Sequence, residues 1–60
     1  MIKSAEDFLT IAEVAERCRV GERTVRYWIA QPNGLRAIRI GRLVRIRQSD
    51  LHLFLRQRSR

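Results

Sequence analysis

Apolar residues follow a helical period from Ile11 to Ile29, a period of two from Ile38 to Ile46, and a helical period again from Leu51. Ile11, Val14, Ala15 and Cys18 fall at i, i+3, i+4 and i+7, one face of a helix, with Glu13, Glu16 and Arg17 pointing away. Thr10 is placed to cap that helix, and Glu13 three residues later completes a capping box. Leu9 before the cap and Val14 at the fourth helical position suit a hydrophobic staple. Cys18 on the apolar face reads as a small core residue rather than a reactive thiol.

Arg19-Val20-Gly21 predicts a short turn, followed by a second helix over Glu22 to Ala30 with Gly21 as its N-cap, weaker than Ser or Asp. At 100° per residue Gly21, Val25, Trp28 and Ile29 share one side, while Arg23, Arg26, Tyr27 and Ala30 share the other. Pro32, which has no backbone donor, ends the helix, and Asn33-Gly34 signals a turn.

Residues 37–47 alternate isoleucine or valine with arginine about Gly41 and predict a β-hairpin. A two-residue loop, Gly41-Arg42, pairs Ile40 with Leu43 and Ile38 with Arg45, mixing apolar and basic residues on a face. A three-residue loop through Leu43 pairs Ile40 with Val44 and Ile38 with Ile46, and sets Arg39 opposite Arg45. The second register keeps one apolar face and is the one expected. Its facing arginines repel unless an anion lies over them.

Ser49-Asp50 is expected to cap a last helix that buries Leu51, Phe54 and Leu55 and leaves Leu53 and His52 at the surface. Residues 1–8 carry little pattern and are expected to fray, as is the basic tail from Arg56 to Arg60. The order is helix, tight turn, helix, basic hairpin, closing helix. That is a small α+β winged helix-turn-helix filling residues 1–60 as a single domain, with the hairpin as its two-stranded wing.

Sixty residues bury only about 60% of their unfolded surface, too little for a second domain or a deep cleft, which favours a binding module over an enzyme. One cysteine and one histidine can form neither an internal disulfide nor a four-ligand zinc site, so no cofactor or metal is expected. Ser49, Asp50 and His52 lie within one helical turn and lack the converging directions of a catalytic relay. No apolar run approaches the roughly 18 residues of a membrane span, and the first residues do not resemble a signal peptide. A soluble, cytoplasmic protein is the expectation.

Charge sharpens this picture. Net charge is +7, but Lys3 against four acids leaves residues 1–16 at −3, and twelve arginines against Glu22 and Asp50 leave residues 17–60 at +10. Such a basic field suits a polyanion, most directly nucleic acid. Codon bias accounts for arginine over lysine as well as recognition chemistry does, but it does not account for the clustering.

In a helix-turn-helix the second helix enters the major groove and its N-terminal side chains reach the bases. Here those side chains are Arg23, Thr24, Arg26 and Tyr27. Arg23 is the first candidate for bidentate pairing with guanine O6 and N7. Thr24 suits a phosphate or a thymine methyl, Arg26 a phosphate, and Tyr27 either backbone or base. Arg42 at the hairpin tip suits a minor groove, where arginine reads width and negative potential. Arg39 and Arg45 are expected to line the flanking phosphates. Trp28 lies with Val25 and Ile29 and belongs to the core, not to a base-stacking platform.

The stretches "LTIAEVAERCRVGERTVRYWI" and "IRIGRLVRIRQSDLHLFL" resemble the excisionase-family, MerR-like winged helix-turn-helix domains. The features shared are Leu-Thr-x-x-Glu-Val-Ala at Leu9 to Ala15, Thr-Val-x-x-Trp at Thr24 to Trp28, Arg-Ile-Gly-Arg at Arg39 to Arg42, and Asp-Leu-x-x-Phe-Leu at Asp50 to Leu55. They span residues 8–56. The resemblance implies major-groove contacts from Arg23, Thr24, Arg26 and Tyr27 and a minor-groove contact from Arg42. Gly21 stands where the family often has Ser or Thr, and Tyr27 where many members carry a basic residue.

MerR-type activators carry a dimerisation helix and an effector domain beyond this unit, so a chain of 60 residues resembles an excisionase, a recombination directionality factor of phages and mobile elements. The resemblance implies a DNA-associated protein in a bacterial cytoplasm. It implies binding to repeated sites beside an attachment site, DNA bending, and an integrase partner that excises. Side-by-side protomers would set the acidic segment of one, through Glu13 and Glu16, against the basic remainder of the next, a heterologous contact that propagates. The rival readings are a stand-alone repressor of the same fold, an adaptor for an acidic protein, and a cationic membrane-surface peptide. The mixed periods oppose the last, since such peptides are usually one amphipathic helix.

Overall fold

Thr10 and Glu13 open the first helix as the capping box requires. In the computed structural model, which describes residues 8–59, the Glu13 backbone N–H donates to Thr10 Oγ1 at 3.0 Å and the Thr10 N–H donates to Glu13 Oε1 at 2.8 Å. The chain runs β1 (Phe8–Leu9), α1 (Ile11–Cys18), α2 (Glu22–Ala30), β2 (Ile38–Ile40), β3 (Leu43–Arg47) and α3 (Gln48–Ser59). The strands form one antiparallel sheet in the order β1-β3-β2. With α1 and α2 joined by a tight turn and the β2–β3 hairpin followed by α3, this is a winged helix-turn-helix.

The core collects one residue or more from nearly every element: Leu9, Val14 and Ala15, Val25, Ile46, and Leu51 with Phe54. Ile11, Cys18, Val20, Trp28, Ile29 and Leu55 pack around it, half-buried. The helical faces are therefore those the periodicity implies, with Cys18 against the core. Trp28 meets Phe54 with ring centroids 5.1 Å apart and planes tilted by 50°, within the range of favourable aromatic pairs. Leu53 and His52 are exposed, as expected.

Four expectations are corrected. The hairpin takes the two-residue loop: Ile38 pairs with Arg45, Arg39 with Val44 and Ile40 with Leu43. Gly41 has φ 62° and Arg42 does not share the positive sign, the pattern of a two-residue type II′ turn, whose twist matches that of the strands it joins. Turn geometry thus outweighs segregation of the faces. Val44 and Ile46 turn inward, while Ile40 and Leu43 are 53% and 52% exposed.

The second correction concerns the N-terminal edge. Phe8, expected to fray, pairs with Arg47 in β1, and Leu9 pairs with Ile46. Two residues have no readable period, and the core supplies the reason for the strand by burying Leu9 beside Ile46. Residues 1–7, the rest of that expectation, lie outside the described residues.

Third, α3 begins at Gln48, directly after β3, so Ser49 and Asp50 occupy its first turn rather than its cap. There the Asp50 carboxylate complements the positive end of the helix dipole. Fourth, α3 continues through the tail to Ser59, and Arg60, the rest of that expectation, lies outside the described residues. Arg58 gives the physical reason, its guanidinium lying 5.1 Å from the Phe54 ring centre and 5.9 Å from that of Trp28. A cation over aromatic faces is worth about 0.5–1 kcal/mol at exposed sites.

Candidate nucleic-acid interface

The turn between the helices sets the attitude of α2. At the end of α1 the Arg19 N–H donates to Glu16 O at 3.2 Å and the Val20 N–H to Ala15 O at 3.0 Å. This is the paired closure of a Schellman motif, with Arg19 left-handed at φ 59°. Val20 then drops onto the core. Gly21 starts α2 from an extended conformation, its carbonyl accepting from Thr24 at 3.1 Å and Val25 at 3.3 Å. It has no side chain to cap the helix, as the sequence implies.

Val25 is fully buried and Trp28 and Ile29 half-buried, so the inner face of α2 is committed to the core. Arg23, Arg26 and Tyr27 stand exposed on the outer face, Tyr27 at 62%. Thr24 lies half-buried at the edge between the faces. Arg26 Nη2 is 3.9 Å from Glu22 Oε1 one turn earlier, a loose surface pair that leaves the guanidinium available.

The wing carries Arg42 exposed at its tip, flanked by the exposed pair Ile40 and Leu43. The register separates the other two wing arginines. Arg39 shares a sheet face with Val44, and Arg45 shares the opposite face with Ile38. The expected repulsion between them is therefore absent, and so is the need for an anion to bridge them. Arg45 is half-buried and donates from Nη1 to the Val44 carbonyl at 2.8 Å. Arg39 is exposed and lines a groove of about 570 Å³ together with Arg26.

Glu13 and Glu16 are exposed on the outer face of α1. Glu13 is occupied in the capping box. The arrangement thus gathers Arg23, Arg26 and Tyr27 on one helix face and Arg39 and Arg42 on the wing, and it sets Arg45 behind them.

Sequence reasoning read Gly34 only as part of a turn and passed over Leu35 and Arg36. Leu35 is buried at 2% exposure, and its N–H donates to the Trp28 carbonyl at 3.0 Å. A Cβ at Gly34 would lie 1.8 Å from that same carbonyl oxygen, so only glycine lets the loop close there. The readable signal is an apolar residue directly after Asn33-Gly34, but a lone leucine has no period. Among the described residues no group of three or more His, Cys, Asp or Glu is placed to hold a metal ion, and no helix is long and apolar enough to cross a membrane.

A sequence model of the family described as "Helix-turn-helix domain" matches residues 8–59. Comparison with curated proteins and with solved structures finds no match.

Proposed function

Because the chain belongs to the helix-turn-helix domain family and is on that ground a DNA-binding protein, we propose that it is an excisionase, reading repeated sites beside an attachment site of a phage or mobile element. The carrying observation is the division of α2, whose apolar side is buried while Arg23, Arg26 and Tyr27 stand exposed beside a basic wing. The resemblance of the motifs at Leu9–Ala15, Thr24–Trp28, Arg39–Arg42 and Asp50–Leu55 supports the excisionase role in particular.

In this reading α2 enters the major groove. Arg23 pairs bidentately with a guanine, the commonest specific contact. Thr24 meets a phosphate or a thymine methyl, Arg26 holds a phosphate, and Tyr27 covers backbone or a base edge. Arg42 reaches the adjacent minor groove, where narrow width and negative potential attract arginine. Arg39 takes a flanking phosphate, and Arg45 does so on releasing the Val44 carbonyl. Protomers load side by side on direct repeats, with Glu16 of one copy toward the basic surface of the next. Bending of the wrapped DNA then brings the sites into the geometry that an integrase excises.

Selection from a random duplex library, then gel shifts on the winning sequences with rising protein, tests this reading. Directly repeated sites with a cooperative ladder of bands are expected. Inverted half-sites with a single shifted band would replace the excisionase with a dimeric regulator of the same fold. No enrichment of any sequence would remove the base-reading role of Arg23.

A further inference from the structure

The groove beside α2 has three arginines at its walls and no acidic residue in its lining. Arg26 comes from α2, Arg39 from β2, and Arg36 from the segment between them. Its floor is apolar, with Ile29, Ala37 and Val44 among the lining residues. Arg36 and Arg39 are both exposed.

Arg36 is held there by its neighbours. Gly34 permits the close pass over Trp28, Leu35 is anchored in the core, and the next residue has little freedom to leave the groove wall. The Trp28 carbonyl accepts from both Gln31 at 3.3 Å and Leu35 at 3.0 Å, and the Gln31 carbonyl accepts from Gly34 at 3.1 Å. Two carbonyls at the negative end of α2 are thus taken up within the loop, which weakens their repulsion of an anion at the groove.

We infer that this groove seats one phosphodiester strand of the bound duplex, with Arg36, Arg26 and Arg39 gripping its phosphates and the apolar floor meeting its sugars. The inference rests on the proposed DNA reading and follows from its geometry. The major and minor grooves of a duplex are separated by a backbone strand. If α2 occupies one groove and Arg42 the next, that strand must pass between helix and wing, and the 570 Å³ groove lies there. Charge selects the same occupant, since three exposed guanidinium groups around one groove match phosphates that recur along a strand. Arg36 is the residue this adds, because no periodic pattern or motif singles it out. It positions the duplex without reading sequence.

The test uses the full chain and the duplex it selects. Dissociation constants are measured against salt for the wild type and for Arg36→Ala, Arg36→Lys and Arg56→Ala. Arg56 is exposed on α3 and outside the groove lining, so it controls for loss of a positive charge alone. Arg36→Ala is expected to reduce the slope of log K against log salt by about 0.9, the value for one phosphate contact. Arg36→Lys should keep the slope, Arg56→Ala should leave it near the wild type, and base preference should be the same in all four. Replacing single phosphates by neutral methylphosphonates should reveal one position that weakens the wild type and abolishes its difference from Arg36→Ala. Thermal unfolding of each variant separates a lost contact from a lost fold.

Equal slopes for Arg36→Ala and Arg56→Ala, with the wild type binding normally, would overturn the groove while sparing the DNA reading. A wild type without affinity for any duplex would overturn both.

Discussion

Two backbone positions show how single residues hold this fold at the limit of what they tolerate. Arg19 is left-handed at φ 59°, a conformation that costs an L-residue roughly 1–2 kcal/mol and glycine almost nothing. Arg19→Gly should therefore stabilise the chain by roughly 0.5–1 kcal/mol after the added freedom of the unfolded state is counted. Thermal unfolding should show a rise of several degrees, at roughly 4–8 °C per kcal/mol for a domain of this size. Gly34 is the opposite case. Its Cβ would overlap the Trp28 carbonyl oxygen, a backbone atom with little room to retreat. Gly34→Ala should cost about 1–3 kcal/mol, the usual penalty of overpacking, and lower the melting temperature accordingly. An unchanged melting temperature would mean that the loop can close another way.

At the scale of elements, the closing helix and the wing each differ from their sequence pattern for a tertiary reason. The apolar stripe of α3 ends at Leu55, yet the helix continues because Arg58 reaches over Trp28 and Phe54. Arg58→Ala should destabilise by about 0.5–1 kcal/mol. Trp28 is the only tryptophan, so its fluorescence should report the change directly. In the wing, Gly41 has φ 62° with nothing within 4 Å of a Cβ placed there. The penalty of Gly41→Ala is thus conformational alone, about 1–3 kcal/mol for a non-glycine residue held in a sparsely populated backbone region. The variant should also loosen the hairpin that presents Arg42, so DNA affinity should fall by more than the melting temperature suggests. Gel shifts beside thermal unfolding would check this.

For the whole molecule, the uneven charge makes the prediction. Exposed Glu13 and Glu16 on α1 and the basic surface beyond it belong to one chain, and under the proposed reading copies aligned on direct repeats set one against the other, head to tail. Testing this requires sparing the capping box, since Glu13 accepts the Thr10 N–H. Glu13→Gln keeps an acceptor there and removes the charge, and Glu16→Arg reverses the exposed partner. The double variant should lose cooperativity on repeated sites while keeping single-site affinity, read by gel shift on one and two sites. Undiminished cooperativity would exclude this contact.

The sequence alone determined the elements whose information is local. The capping box at Thr10 and Glu13, the stop at Pro32, and the two faces of α2 each depend on residues within a turn or two, and periodicity exposes them. The outward set Arg23, Arg26 and Tyr27 was legible for that reason. Tertiary structure decided what depends on distant partners or on backbone shape. The register of the wing followed the twist allowed at Gly41, not the separation of apolar from basic residues. The strand at Phe8–Leu9 forms because β3 offers an edge, and Leu35 is buried because Gly34 lets the chain pass against Trp28. Arg36 joined the candidate site only through that close pass. A side chain's spacing in sequence reveals its face on a regular element, whereas a residue in an irregular loop is placed by whatever the folded core leaves beside it.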